Sequence, residues 1–142
     1  MSKSAFIFIN NIEIPVDDLQ DVKNLLKSYI DVTMLTGKQL DWSYEKTSFP
    51  YEIKDNDLNE NWFYLFSDKP GYKMIIVGLT EKETEVIVDH KPQITSSKVI
   101  QFVINDQSTQ GDATKLIELV KFFGKKLKTH VEFSNGRIMF NK

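Results

Sequence analysis

The chain has 142 residues, enough for one domain with a sizeable core and too few for two of ordinary size. It contains no cysteine, which excludes disulfides, thiolate metal sites and cysteine nucleophiles. Its residues are 41% hydrophobic, 27% charged and 12% aromatic, with a net charge of −2, which argues against disorder and against a wholly basic nucleic-acid binder.

In chain order, Ala5–Ile9 reads as a strand; it is too short for the apolar part of a secretion signal and lacks a cleavage site. No apolar run approaches the roughly 18 residues of a membrane-spanning helix, so a cytoplasmic protein without a membrane partner is expected. Ile12–Val16 is a second candidate strand. A helix then starts near Asp17 or Asp18 and runs to about Leu35, with Leu19, Val22, Leu25, Leu26, Tyr29, Ile30 and Val32 on one face and Gly37 placed to close it. Residues 38–48 are ambiguous between a short helix and a loop. Strands follow at Tyr51–Lys54, Asn61–Ser67 and Lys73–Leu79, the last two joined as a hairpin through Asp68-Lys69-Pro70-Gly71, then at Glu85–Asp89 and Lys98–Asn105. A second helix spans about Asp112–Lys128, capped by Thr109 or Asp112, with Ala113, Leu116, Ile117, Val120, Phe123 and Leu127 as its buried stripe. His130–Phe133 and Arg137–Phe140 flank Ser134-Asn135-Gly136, and Asn-Gly between apolar runs is a strong hairpin signal. Strands in runs with two long helices predict one α+β domain, a two-layer sandwich of mainly antiparallel sheet with both helices on one face.

Catalytic signatures are missing. His90 and His130 have no histidine partner at ligand spacing, no Gly-x-Ser-x-Gly elbow occurs, and the six glycines form no phosphate loop. The expectation is no catalytic residue, no metal site and no cofactor. An enzyme of unrecognised type would need convergence of residues remote in sequence, with His130 and Asp112, or Asp41 and Glu45 beside Trp42, as the first pairs to test. Glu81, Glu83 and Glu85 alternate, so they share a face in a strand and read as a solvated edge.

Charge is uneven: residues 1–111 hold 11 basic and 17 acidic side chains, whereas residues 112–142 hold seven basic and three acidic. Lys115, Lys121, Lys125, Lys126, Lys128, Arg137 and Lys142 therefore define a basic segment suited to phosphate. Together with Thr109 and Gly111 at the second helix's N-terminus, it supports an alternative reading as an anion- or nucleic-acid-binding module. Against that, Asp112 as a cap would fill the same N-terminus, and helix-dipole pairing already explains Lys125, Lys126 and Lys128.

The leading reading comes from the 17 aromatic rings. In Trp62-Phe63-Tyr64-Leu65-Phe66 both faces of the strand are apolar, which a sheet covered on one side does not require. Either the face carrying Trp62, Tyr64 and Phe66 is covered, with Trp42 and Tyr44 among the covers, or it binds a partner. Phe122 falls opposite the buried stripe of its helix and needs cover from the same chain or from a partner. Trp42, Tyr44, Trp62, Tyr64 and Phe122 are thus the candidate contact residues of a small non-catalytic interaction or regulatory module, its partner a protein and a homodimer among the options.

Several segments also resemble a known family. Gly37-Lys38-Gln39-Leu40 with Phe49-Pro50-Tyr51, Gly111-Asp112 opening a helix with Phe122-Phe123-Gly124-Lys125-Lys126, and the closing Asn135-Gly136-Arg137-Ile138-Met139-Phe140 are similar to a domain of unknown function found in small proteins of Bacillus and related Gram-positive bacteria. The resemblance runs along nearly the whole chain. It implies a two-layer α/β sandwich broadly like the TATA-binding-protein topology and transfers no activity, cofactor or site residue. Gln110 stands where the family pattern carries histidine.

Overall fold

The structure is a computed structural model that describes residues 3–9, 16–40, 50–56 and 61–139, with backbone only for residues 33–40. Seven strands form one antiparallel sheet: β1 (Lys3–Phe8), β2 (Glu52–Asp55), β3 (Trp62–Phe66), β4 (Met74–Val88), β5 (Lys91–Ile104), β6 (Val131–Phe133) and β7 (Ile138–Met139). Their spatial order is β2-β3-β4-β5-β1-β6-β7. Two helices, α1 (Leu19–Leu40) and α2 (Gln110–Leu127), complete an α+β architecture. No described helix is long and apolar enough to cross a membrane.

Alternation along the strands decides which sheet face is buried. Ala5 and Ile7, Phe63 and Leu65, Ile75 and Val77, Ile100 and Phe102 are all fully buried and share one core with both helices. From α1 that core receives Val22, Leu25, Leu26 and Tyr29; from α2 it receives Leu116, Leu119, Val120, Phe123 and Leu127. Phe102 and Phe123 meet edge-on at 5.3 Å between centroids, which ties α2 to the sheet centre.

Both helices start with the same reciprocal device. Asp18 Oδ1 accepts from Asp21 N at 3.1 Å while the Asp21 carboxylate accepts from Asp17 N at 2.8 Å and from Asp18 N at 3.4 Å. Thr109 and Asp112 repeat the pattern in α2, closing a capping box that satisfies two otherwise orphaned N–H groups. At the far end Lys128 takes the left-handed conformation and donates its N–H to Gly124 and Lys125.

The structure departs from the sequence expectation in three places. α1 continues through Gly37 to Leu40, so Gly37 does not close it; one helical glycine costs only about 1 kcal/mol and its neighbours are helix formers. The strand expected over Ile12–Val16 lies outside the described residues except for Val16, which is irregular. In α2, Ile117 faces solvent at 43% exposure, whereas Leu119 belongs to the core. The largest difference concerns 80–98: β4 and β5 run straight through it as a long two-stranded arm. Its two-residue tip, Asp89-His90, has φ of 52° and 64°, both left-handed, which is the twist a tight hairpin needs.

Candidate functional site

The densest polar arrangement is built on Asp112. Its carboxylate is fully buried yet accepts from four donors. These are Tyr51 Oη at 2.6 Å, Lys73 N at 3.0 and 3.1 Å, Met74 N at 3.1 Å and Thr109 N at 2.8 Å. One donor opens β4 and another, Lys73, directly precedes it, while Tyr51 lies just before β2, so one side chain fastens the α2 N-terminus to the sheet. Burial, reinforced by the hydrogen bond and charge of Asp112, pushes the Tyr51 hydroxyl well above its ordinary pKa, so Tyr51 remains the donor. Thr109 Oγ1 donates to Gly71 O at 2.7 Å, and a Cβ on Gly111 would collide with the same carbonyl oxygen. The α2 N-terminus is therefore occupied by the chain's own carboxylate, with Thr109 and Gly111 serving the junction.

That arrangement separates the anion-site candidates. Thr109 and Gly111 lie at one end of α2 and Lys125, Lys126 and Lys128 at the other, about 21 Å or more apart along the axis at 1.5 Å per residue. Arg137 is exposed just after the Ser134-Asn135-Gly136 turn. Lys115 does not join a basic face. It is 7% exposed, its Nζ donating to Glu118 Oε2 at 2.6 Å and to Tyr29 Oη at 3.3 Å, because its long stem packs between the helices.

The aromatic candidates fall on two sides of the molecule. Phe122 is half-buried against Tyr29 of α1, at 5.3 Å between centroids, so α1 supplies its cover. Trp62 and Tyr64 alternate with Phe63 and Leu65 and so lie on the sheet face opposite the core. Trp62 covers Gly78, its cross-strand neighbour: a Cβ there would run into the indole. Tyr64 and Phe66 are tilted together at 5.6 Å, and Asn56 Nδ2 donates to Tyr64 Oη at 3.2 Å. Trp62 and Tyr64 are half-exposed and Phe66 is 38% exposed, so this second aromatic face is neither core nor bare surface. Trp42 and Tyr44 lie outside the described residues.

A cavity opens at each end of β3. One, about 720 Å³, is lined by Phe66 with Tyr51, Glu52, Lys54 and residues of the β3–β4 turn, and Lys54 Nζ lies 5.9 Å from the Phe66 ring centroid. The other, about 420 Å³, is lined by Trp62 with Ile9, Val16, Asp17, Leu79, Glu81 and Lys98. Its lining holds no histidine. His130 stacks on Phe8 at 4.3 Å, while Asp112 lies at the opposite end of α2, so those two do not form a pair. His90 is in the exposed arm turn; Asp41 and Glu45 lie outside the described residues. Among the described residues no three His, Asp or Glu side chains gather to hold a metal ion.

Sequence reasoning found the Thr109–Asp112 cap but not Tyr51, whose role depends on a contact 61 residues away. It also missed the arm tip, where Ile87 is 70% and Ile94 71% exposed.

Comparison with known proteins fits this picture of a fold without a recognised reaction. No curated protein matches the chain. A crystal structure of a protein of unknown function from Bacillus stearothermophilus is similar at 25% identity and a TM-score of 0.51, covering 94% of this chain and 98% of that one. The family profile of a domain of unknown function, DUF1885, matches residues 3–142, and the chain belongs to that family.

Proposed function

We propose that the protein is a small, non-catalytic interaction or regulatory module of the cytoplasm, a two-layer sandwich that uses the sheet face opposite its core to hold a protein partner. The observation that carries this reading is the half-open row Trp62, Tyr64 and Phe66. Three rings on the side of the sheet away from the core cost solubility unless they serve a contact. Phe66, beside a groove that also presents Lys54 and Glu52, offers an apolar anchor with polar groups around it, the anatomy of a modest protein interface. The polar machinery of Asp112, by contrast, is consumed in holding the fold.

The test is affinity purification from the source cells with wild-type protein and with a Tyr64→Ser/Phe66→Ser variant, followed by reconstitution of any recovered complex from purified components. The reading predicts a partner whose reconstituted binding falls at least tenfold in the variant while the circular dichroism spectrum is unchanged. A reconstituted complex indifferent to both substitutions contradicts it.

A further inference from the structure

The β4–β5 arm has a feature that the sheet face does not share. Ile87, Glu85 and Glu83 continue the strand alternation of Ile75 and Val77, so they lie on the sheet side that carries the helices. Ile87 pairs with Pro92 and Glu85 with Ile94, which gives the arm an apolar tip followed by acidic side chains. All of these are exposed, so the chain's own helices do not reach them.

The complement of that pattern runs along the outer side of α2. At 100° per residue, Ile117, Lys121 and Lys125 follow one i, i+4 ridge that starts at Ile117 on the flank of the buried Leu116, Val120 and Phe123 and reaches their far side at Lys125, and all three are exposed. Along the arm, Ile87, Glu85 and Glu83 follow one another at about 6.6 Å per step, because alternate residues of a strand share a face. Along α2, Ile117, Lys121 and Lys125 follow at about 6 Å per step, because each is four residues from the last. The apolar residue and the two charges therefore match in order, sign and spacing.

We propose that a second copy of this chain is the occupant: the arm of each protomer lies along the outer stripe of α2 of the other, Ile87 against Ile117, Glu85 against Lys121 and Glu83 against Lys125. The contact is reciprocal, as a two-fold axis requires. Both surfaces face outward from the helix side of the sheet, so the two molecules stack helix side to helix side. The free part of the arm is about 20 Å long for six residue pairs. Two such contacts, counted on both partners, cover on the order of 1,000 Å², the lower limit of specific association, and the result is a weak, salt-sensitive dimer.

Sedimentation equilibrium of the full chain over a concentration series tests this. Twice the chain mass is expected at low salt, shifting toward the chain mass as salt rises. Glu83→Lys with Glu85→Lys weakens the dimer by about tenfold or more, and adding Lys121→Glu with Lys125→Glu to the same chain restores it. Ile87→Ser with Ile94→Ser, which leaves every charge in place, also weakens it. Phe66→Ser leaves it intact, which keeps this contact distinguishable from the sheet-face reading. A chain mass at every concentration, a dimer indifferent to the arm substitutions, or a charge swap without recovery overturns the proposal. So does a monomer that binds single-stranded RNA through Lys121 and Lys125, which would assign the stripe to nucleic acid.

Discussion

At the scale of single residues, Asp112 holds more of the structure than any other polar group described. A buried carboxylate with four donors is stable only while every donor is answered. Asp112→Ala leaves the N–H groups of Lys73, Met74 and Thr109 and the Tyr51 hydroxyl without their acceptor, and a loss of about 3 kcal/mol or more is expected in urea denaturation. Tyr51 gives a pH signature. Its hydroxyl is raised above its unfolded value of about 10, so above that pH the unfolded chain releases a proton that the folded chain keeps. The contribution of Tyr51 is therefore complete below about pH 10 and declines above it by about 1.4 kcal/mol per pH unit. Tyr51→Phe removes that part of the alkaline decline, measurable as a flatter dependence of unfolding free energy on pH.

At the scale of elements, local chemistry decided what could be read from sequence. Thr109 with Asp112 and Ser134-Asn135-Gly136 are local signals, and both produced the expected cap and hairpin, Phe133 N donating to Arg137 O at 2.8 Å around the left-handed Gly136. The arm was illegible for two reasons. Thr80 to Glu85 is polar on both faces, so it shows no hydrophobic period, and Asp89-His90 closes the turn without the glycine that usually marks one. Lys115 was misread because side-chain burial depends on Tyr29, a residue of another helix. Replacing Asp89-His90 with Asn-Gly removes left-handed strain and slows amide hydrogen exchange in the arm about fivefold, equivalent to about 1 kcal/mol. Gly78→Ala displaces the Trp62 indole and costs about 1–3 kcal/mol, read as a lower denaturation midpoint with altered tryptophan fluorescence.

At the scale of the whole molecule, the aromatic surplus divides into two populations that composition cannot separate. Phe63, Phe102 and Phe123 are fully buried in the core, whereas Tyr64 and Phe66 line the opposite sheet face half in contact with solvent. The strand alternation was legible; which of its two sides would be covered was not, because that depends on where the helices land. The fold class could be read from the order of elements, and the family from segments spread along the chain, but neither carries a reaction. On the proposed reading, the second aromatic face exists for contact rather than for stability. Urea denaturation of Phe66→Ser beside Phe63→Ala tests it most directly. The expected loss is about 3–5 kcal/mol for Phe63→Ala and less than about 1 kcal/mol for Phe66→Ser. Equal losses of several kcal/mol would place both rings in the core and contradict it.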